Sequence, residues 1–403
     1  MAVEFRALQA EDVEQAAYVE AVAFYNQPTA ERTAQLRQFY PPDWTIGAFV
    51  DGRPVAVIRT TPMARRINGH GVRYGTIGPV ACLAEHRRKG YVGKLLRMTL
   101  ERMRDQGMPL SGLHTPHDAL YRRFGWERAE GKKRYVFRAR DVSLRFQGAP
   151  GSMESVSADD WHRLEDVYRR SAAPRNGALH RPEVWWRNAV LRDFINNRER
   201  QALLWFDQRG EAQGFIVYSP RQIEVAGGGE SELQVYDLVA LTSDAYLGLY
   251  QHLLTHDIAA RIYVNAPLAD PFPDLVVDPR QVEVQRAEGA MVRIVDVEHA
   301  LMMRSYAGSG DASLTMRVID DTAPWNDGVW RVATADGRLH AERANGEADI
   351  ELSVNFLAPL FTGWINPETA ARTGMISVRR EEALEQAAQL FTVTHPPHCA
   401  DFY

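Results

Sequence analysis

The sequence carries one pattern twice, namely an apolar strand followed by a short connection and a helix. Val80-Ala81-Cys82-Leu83 aligns with Leu238-Val239-Ala240-Leu241, and a Leu-Leu pair begins twelve residues after the end of each tetrapeptide. Gly90 aligns with Gly248 without a gap. The repeat predicts that the same mixed scaffold occurs twice in tandem.

The chain has 403 residues, too many for one hydrophobic core, so two or three domains are expected. Two apolar runs in 44–63, separated by Asp51-Gly52, predict a β-hairpin. The apolar spacing of 94–107 predicts a helix that stops at Gly107. A strand in 134–140 is expected to close the first unit, and the stretch 146–155, rich in Gly, Ser and Pro, marks a boundary.

The second segment contains a predicted hairpin in 201–220 and a strand that runs into a helix in 233–254. A third segment starts near residue 296, with strands in LTMRVIDD, WRVATADG and LHAERA and helices in SVNFLAPLFTGW and EEALEQAAQLF. We therefore predict domains over 1–148, 149–292 and 293–403.

Composition limits the function classes. A hydrophobic content of 45% and a charged content of 25% are typical of a soluble globular protein, and no run of 18 apolar residues predicts a membrane span. The N-terminus lacks the pattern of a secretory signal, and two cysteines cannot build a disulfide framework, so a reducing cytoplasm is predicted. The net charge of −5 argues against a nucleic-acid partner.

Three consecutive cations, at 87–89, stand before Gly90 where the first copy of the repeat begins its helix, whereas the second copy has Ala, Tyr and Leu at 245–247. A helix N-terminus offers unpaired N–H groups and a positive dipole end, both of which attract phosphate. The spacing matches neither a P-loop nor a Rossmann fingerprint. A phosphate-binding loop is predicted, and a solvated basic helix start is the alternative.

The stretch VACLAEHRRKGYVGKLL resembles the acetyl-CoA pyrophosphate loop of the GNAT acetyltransferases, whose pattern is Gln/Arg-x-x-Gly-x-Gly/Ala. Arg87 and Gly90 match, Val92 departs, and Gly93 comes one residue late. ALYRRFGW (119–126) resembles the family's downstream Tyr-x-x-Phe-Gly-Phe/Tyr segment. The whole chain resembles the Eis (enhanced intracellular survival) family. The implied fold class is α+β: two tandem GNAT-like α/β units, the second degenerate, and a C-terminal sterol-carrier-protein-like α/β domain.

The resemblance implies an acetyl-CoA-dependent N-acetyltransferase that moves an acetyl group directly to a primary amine, without a metal. The amine would be an aminoglycoside, a polyamine or a lysine-like group, including a protein lysine. The resemblance also implies a bacterial, cytoplasmic homo-oligomer, with a hexamer as the form that the family suggests and a small-molecule amine as its partner. The alternative is a non-enzymatic acyl-CoA or lipid-binding sensor, which a long apolar tunnel in 296–403 would favour.

The family's acetyl-CoA contacts can be carried over to matching positions. In the family, backbone groups of the strand before the loop, here Val80 to Cys82, hold the pantetheine arm. The loop after this strand holds the pyrophosphate. Cys82 is expected to be a packing residue rather than a nucleophile. His117 is expected to contact CoA, and the alternative is that it is an exposed loop histidine with no such contact. The implied contact residues are Val80, Ala81, Cys82, Arg87, Arg88, Lys89, Gly90, Tyr91, Val92, Gly93, Pro116 and His117.

Two catalytic groups follow from the resemblance. Tyr121 matches the general acid that protonates the leaving CoA thiolate, and packing against Phe124 and Trp126 is its alternative. The α-carboxylate of Tyr403 matches the family's base, although a free α-carboxyl with a pKa of about 3.3–3.7 is a weak one. A frayed tail is the alternative there.

The amine pocket is predicted to involve Phe24, Tyr25, Asp401 and Phe402, whereas Trp44 is expected to belong to the core. Some family members place an acid immediately before the last residue. Here Phe402 stands at that position and the acid is Asp401. This departure weakens the expectation of polycation specificity, but it leaves amine acetylation itself untouched.

Overall fold

The computed structural model describes residues 2–37, 42–193, 198–225, 228–308, 310–335 and 337–403. The strands in these ranges are β1 (Val3–Ala7), β2 (Thr45–Val50), β3 (Arg53–Ile67), β4 (His70–Cys82), β5 (Leu110–Leu113), β6 (Glu127–Arg128), β7 (Gly131–Phe137), β8 (Ser152–Ser155), β9 (Leu179–His180), β10 (Arg192–Asp193), β11 (Arg198–Glu199), β12 (Gln201–Phe206), β13 (Ala212–Val225), β14 (Gly228–Ala240), β15 (Arg261–Pro267), β16 (Glu283–Glu288), β17 (Met291–Ile294), β18 (Ser313–Ile319), β19 (Gly328–Ala335), β20 (Arg338–Ala344), β21 (Ile350–Ser353) and β22 (Ile376–Val378). The α-helices are α1 (Val13–Ala23), α2 (Ala30–Arg37), α3 (Tyr91–Asp105), α4 (Asp118–Arg122), α5 (Trp161–Ala172), α6 (Glu183–Trp185), α7 (Ser243–Leu254), α8 (Val297–Met303), α9 (Val354–Thr362), α10 (Pro367–Arg372) and α11 (Glu381–Leu390).

The chain forms two compact units. The first comprises Met1–Ala129, Ala290–Val393 and Tyr403, and the second comprises Glu130–Gly289 and Thr394–Phe402. In the first unit a sheet of order β1-β2-β3-β4-β5-β17-β6 carries the apolar face of α3. That face buries Leu95, Leu96, Leu100 and Met103 in a core with strand residues such as Ile58.

Strands β4 and β5 separate part-way along their length. They pair in parallel from Tyr74 with Leu110 to Thr76 with Gly112, after which β4 continues to Cys82 while β5 ends at Leu113. On its other edge β4 stays paired with β3 as far as Cys82 with Ala56. The last residues of β4 therefore keep one backbone edge away from β5.

Two strands lie in a different sheet from the one that their position in the sequence suggests. The prediction that 134–140 closes the first unit is wrong, because β7 pairs with β15 and β16 in the second sheet. Conversely, β17 lies between β5 and β6 in the first sheet, and all four of its residues are buried. Short apolar runs do not specify a distant pairing partner, so the local pattern could not indicate this exchange.

The third segment has the elements that its sequence predicts. Its sheet has the order β20-β19-β18-β21-β22, and α9 and α11 fall on the two predicted helical stretches. Side chains of this segment bond directly to backbone groups of the first unit's N-terminal part. Asn355 donates to the carbonyl oxygens of Arg122 and Trp126, and Thr362 donates to that of Ala129.

A buried arginine joins two helix ends in the third segment. Arg304 donates hydrogen bonds of 2.8–2.9 Å to the carbonyl oxygens of Phe361, Leu390, Phe391 and Thr392. These carbonyls lie at the ends of α9 and α11, where the helix dipole favours a cation. Burial lowers the pKa of Arg304 to about 10, which leaves it charged at neutral pH.

The second unit repeats the arrangement of diverging strands. Its sheet has the order β16-β7-β15-β14-β13-β12-β8, and β14 pairs in parallel with β15 over Glu232–Val235 before it continues to Ala240. Only Leu241 and Thr242 separate β14 from α7, and the Thr242 side chain caps that helix. In the first unit the corresponding connection runs from Leu83 to Gly90.

The ungapped alignment of the two repeats is therefore wrong after the strand. Residues 245–247 lie inside α7, so the second unit lacks the loop as a whole rather than its charges alone. Gly248 is also helical, and a Cβ there would approach Trp205 Nε1 to 2.3 Å, so this glycine serves packing. The predicted degeneracy of the second copy holds for a stronger reason than the sequence offered.

A cavity of about 110 Å³ lies beside the diverging end of β14 within the second unit. Its lining includes Asp237 and Ala240 from β14 and Asn265 from β15. His398 and Ala400, from the segment that precedes the end of the chain, complete it. The final segment of the chain therefore packs into the part of the second unit where its two parallel strands separate.

Candidate active site

The connection between β4 and α3 is an exposed loop with two residues in the left-handed region. Arg88 has φ +60° and Gly90 has φ +81°. A non-glycine residue in this region costs roughly 1–2 kcal/mol, and such strain is common where a loop binds a ligand. A Cβ on Gly90 would meet no atom within 4 Å, so the loop backbone faces open space.

The electrostatics of this loop suit an anion. Arg88 and Lys89 expose their side chains. The first turn of α3 presents N–H groups that no helical carbonyl can accept, together with the positive end of a 15-residue helix. The combination of fixed N–H donors and mobile cations fits a diphosphate, whose charge exceeds what a helix end alone would hold.

Arg87 has a structural role, in hydrogen bonding to the backbone, that the sequence did not indicate. Its Nε donates to the carbonyl oxygen of Cys82 at 3.1 Å, and its Nη2 donates to that of Ala23 at 3.3 Å. The guanidinium thus ties the loop to the end of β4 and to the end of α1. Arg88 and Lys89 carry the charge that faces solvent.

Gly93, which was predicted to allow close approach of a ligand, has a packing role instead. A Cβ there would lie 3.1 Å from Phe124 Cζ, so this glycine permits close packing of α3 on Phe124 rather than the approach of a ligand. Tyr91 and Val92 also pack against the first core. In this turn the N–H groups, and not the side chains, are the groups that can meet a ligand.

The end of β4 supplies a second set of backbone groups. Val80, Ala81 and Cys82 pair with β3 on one edge and lie beyond the pairing with β5 on the other. Cys82 is buried, and burial raises the pKa of its thiol. A protonated, buried thiol agrees with the predicted packing role and disfavours a nucleophilic one.

Tyr121 lies in the short helix α4 and is 8% exposed. Its ring packs edge-on against Trp126 at 6.4 Å between centroids. Burial raises the pKa of Tyr121 to about 12, so the phenol stays protonated at neutral pH. Just before α4, Pro116 and His117 are exposed, and the His117 N–H donates to Thr115 Oγ1 at 2.9 Å.

Tyr403 docks in the first unit beside β4. Its hydroxyl lies 2.6 Å from the Tyr74 hydroxyl, and Arg65 donates to that same hydroxyl at 3.2 Å. The ring of Tyr403 contacts His114 edge-on at 4.8 Å. A Cβ placed on Gly78 would lie 3.5 Å from the terminal carbon of Tyr403, so its carboxyl end lies against the diverging part of β4. The alternative of a frayed tail does not fit these contacts.

Asp401 has a different place from the one predicted. Its carboxylate accepts from Arg181 Nε at 3.0 Å and from Trp185 Nε1 at 2.8 Å, and it is buried in the second unit. Arg181 also pairs with Asp237 at 2.6 Å. A buried carboxylate held by these two donors is not exposed to an amine, so Asp401 anchors the chain rather than lining a pocket.

The aromatic candidates for the amine pocket differ in exposure. Phe24 and Tyr25, at the end of α1, are 51% and 89% exposed, and Phe402 in the second unit is 63% exposed. Trp44 is half-buried against the first core, as expected. The exposed rings are available for contact with a ligand, whereas Trp44 is committed to packing.

Sequence reasoning missed the partners of the chain end. Arg65 and Tyr74 lie in β3 and β4 and are fully buried, and Arg181 precedes α6. A buried arginine in a strand pattern is the one local signal that could have indicated a polar cluster. Tyr403 lies more than 300 positions after its partner Tyr74, so no local sequence pattern could indicate this contact.

Comparison with known proteins finds three domain matches along the chain. Residues 4–129 and 177–294 each match a family described as acetyltransferase (GNAT) domain, and residues 297–400 match the sterol carrier protein domain. An uncharacterized N-acetyltransferase of Streptomyces avermitilis is 28% identical over 82% of this chain and 81% of its own. N-acetyltransferase Eis of Mycobacterium tuberculosis is 26% identical over 80% and 78%.

Solved structures share the complete fold. A GCN5-related N-acetyltransferase from Anabaena variabilis superposes with a TM-score of 0.87 at 22% identity, covering 100% of both chains. Eis1 from Mycobacterium abscessus superposes with a TM-score of 0.82 at 24% identity, also over 100% of both. Fold and domain matches define an N-acetyltransferase enzyme of the GNAT class with a sterol-carrier-like domain. Within that class, the chain is similar to N-acetyltransferases of the Eis type over about four fifths of its length.

Among the helices in the described ranges, none combines the length and the apolar character needed to cross a bilayer. The same residues contain no cluster of three or more His, Cys, Asp or Glu side chains arranged to hold a metal ion.

The contact between Tyr74 and Tyr403 predicts an energetic coupling. Tyr403→Phe should lower the free energy of unfolding by about 0.5–1.5 kcal/mol, since it removes one hydrogen bond at a buried hydroxyl. Tyr74→Phe should cost more because it also loses the bond from Arg65. The double variant should match Tyr74→Phe alone in urea unfolding followed by circular dichroism. Additive losses would show that the two hydroxyls do not share a bond.

Proposed function

We propose that this protein transfers an acetyl group from acetyl-CoA directly to a primary amine, such as that of an aminoglycoside, a polyamine or a lysine-like group. The observation that carries the proposal is the difference between its two GNAT units. The first has an exposed cationic loop before α3, and the second has a two-residue connection in its place. One unit thus offers an anion site next to diverging strands, and the other does not.

Acetyl-CoA supplies the acetyl group as a reactive thioester. The residues of the first unit fit such a ligand in two ways. Arg88, Lys89 and the N–H groups of Gly90 to Gly93 would hold its pyrophosphate. The carbonyl and N–H groups of β4 from Val80 to Cys82 would pair with an amide-containing arm as a neighbouring strand does. Pro116 and His117, exposed before α4, are proposed as further contacts.

Direct transfer is supported by the state of the nearest thiol. Cys82 is buried, and burial raises the pKa of its thiol, so little thiolate is available at neutral pH. An acyl-enzyme would require that thiolate to attack. The amine itself is therefore proposed as the only nucleophile.

Tyr121 is proposed as the acid that donates a proton to the leaving sulfur. With a pKa of about 12 it is fully protonated over the working range. A thiol has an ordinary pKa of about 8.5, so complete transfer from the phenol is uphill. We therefore assign Tyr121 to hydrogen-bond donation that strengthens as charge develops on sulfur, which is stabilisation specific to the transition state.

The carboxylate of Tyr403 is proposed to act on the amine. Its negative charge attracts an ammonium group, and it accepts a proton either directly or through a water molecule. Its contacts with Tyr74 and His114 hold it against the diverging part of β4. A fixed position matters here because a carboxylate is a weak base whose effect depends on proximity to the amine.

The substrate class follows from charge and exposure. Asp401 is buried and bonded to Arg181, which leaves the Tyr403 carboxylate as the anionic group proposed for the pocket. Phe24 and Tyr25, at the end of α1, are exposed aromatic rings that can attract cations by their π faces. Among the proposed acceptors, one carboxylate with aromatic rings suits a lysine-like amine of low charge better than a polycation, which would need several anions.

The proposed activity predicts that free CoA thiol appears when acetyl-CoA and a primary amine are both present. A panel of aminoglycosides, polyamines and lysine peptides, followed by a thiol reagent, would identify the acceptor. In the same assay Tyr121→Phe should retain the KM for acetyl-CoA and lose ~10²–10⁴-fold in kcat. Tyr306→Phe, in the third segment, is the matched control with an unchanged rate.

A Tyr121→Phe enzyme with wild-type kcat would leave Tyr121 as a packing residue only. Absence of thiol release with every amine, in a protein that binds acetyl-CoA, would instead favour the acyl-CoA sensor. The buried side chains of Leu357, Leu360 and Phe361 in α9 argue against an apolar tunnel at that helix.

Acetyl-CoA is expected to bind once per chain, in the first unit. Arg88→Glu places a carboxylate beside phosphate and should weaken binding at least ~10-fold, equivalent to about 1.4 kcal/mol. Both residues are non-glycine, so the strain at φ +60° is unchanged. Titration calorimetry measures this loss. Arg209→Glu, the same charge change at an exposed turn of the second unit, should bind normally. Two sites per chain, or full affinity in Arg88→Glu, would contradict the assignment.

The role proposed for the Tyr403 carboxylate predicts that residues added after Tyr403 lower the activity of the enzyme. Residues appended after Tyr403 convert its carboxylate into a neutral amide and remove both the charge and the proton acceptor. A C-terminal tag should therefore lower kcat far more than an N-terminal tag, with acetyl-CoA binding intact. Tyr403→Phe should be milder in kcat than deletion of Tyr403, which moves the carboxylate back by about 3.3–3.6 Å along an extended chain. Full activity in the extended enzyme would move the base elsewhere.

A further inference from the structure

Two histidines lie one helical turn apart at the end of α7, in the second unit. His252 belongs to the last turn of the helix, and His256 follows four residues later in a turn closed by its N–H to the carbonyl oxygen of Leu253. Residues with this spacing lie on the same face of a helix. Tyr218 of β13 contacts both rings, with centroid distances of 5.9 Å and 5.3 Å.

The distances between the polar atoms lie at the long end of the hydrogen-bond range. His252 Nε2 and His256 Nε2 are 3.3 Å apart, and His252 Nε2 lies 3.4 Å from the Tyr218 hydroxyl oxygen. Bonds from N–H donors to oxygen are usually 2.7–3.2 Å long, and those with hydroxyl donors are usually shorter.

The same distances match the edges of a tetrahedral metal site. Ligand atoms about 2.0–2.1 Å from one tetrahedral zinc ion lie about 3.3–3.4 Å from each other. Two of the three edges among these atoms have that length. The two Nε2 atoms approach each other with the rings nearly perpendicular, at 89°, so a cation could meet both lone pairs without ring overlap.

The surroundings favour a cation and permit its entry. Both histidines are half-buried, while Tyr218 is buried. They lie at the C-terminal end of a 12-residue helix, where the dipole and the last carbonyl groups are negative. Imidazole nitrogen is a preferred ligand of zinc and neighbouring divalent metals.

We propose that His252 and His256 chelate a zinc ion through their Nε2 atoms, with the Tyr218 hydroxyl as a third, oxygen donor and a solvent molecule as the fourth. The site lies in the unit that lacks the cationic loop and is independent of the proposed acetyl transfer. Bound metal would join the last turn of α7 to β13 and thereby stabilise the second unit. It would carry no part of the reaction.

The test uses the full chain after treatment with a chelator. Addition of Co²⁺ should give the intense visible absorption of tetrahedral cobalt, saturating at one ion per chain, and Zn²⁺ should abolish it by displacement. Native mass spectrometry with ZnCl₂ should show one zinc ion per chain. His252→Gln and His256→Gln should each weaken binding at least ~10-fold, and Tyr218→Phe should weaken it less.

His162→Gln, on α5 of the same unit, is the matched control and should bind metal as the wild type does. Far-UV circular dichroism verifies that each variant is folded, and the wild-type mass measurement stands without any variant. No tetrahedral spectrum and no bound zinc would show that the two imidazoles only share a proton. Binding that persists in both histidine variants would likewise overturn the site, and unchanged affinity in Tyr218→Phe would overturn the oxygen donor.

Discussion

The antiparallel pairing of Met291–Ile294 between Leu110–Leu113 and Glu127–Arg128 is the interaction on which the first unit depends. It completes the first sheet with residues that come after the whole of the second unit in sequence. The same strand carries Arg293, which is fully buried and donates to both carboxylate oxygens of Asp320 at 2.6 and 2.8 Å. Loss of one partner of such a pair costs about 3–5 kcal/mol. One strand therefore joins the first sheet to the sterol-carrier-like domain.

The sequence predicted those structural features that depend on residues close together in the chain. The hairpin at Asp51-Gly52 forms with both turn residues at positive φ, and α3 buries the apolar face that its spacing predicts. Partners that are distant in sequence were not readable. The sequence shows Asp401 only as an acid near the chain end, whereas the structure buries it against Arg181. Gly93 belongs to a glycine motif, yet the reason for it is Phe124.

The two GNAT units differ in the arginines that lie near the carboxyl ends of β4 and β14. The first unit leaves Arg88 and Lys89 in solvent, where they remain free to meet an anionic ligand. The second unit buries Arg181 between Asp237 and Asp401 and stacks it over Tyr168 at 3.9 Å. A buried, paired charge recruits no ligand, but its loss is costly, so it fixes one arrangement of the chain.

The cavity beside β14 shows how the segment 394–402 is used inside the second unit. Parallel strands that separate leave volume between them, and His398 and Ala400 line the cavity of about 110 Å³ beside the diverging end of β14. The residue that follows this segment, Tyr403, belongs to the first unit. Substitutions in 394–402 are consequently constrained both by packing around this cavity and by the position of Tyr403.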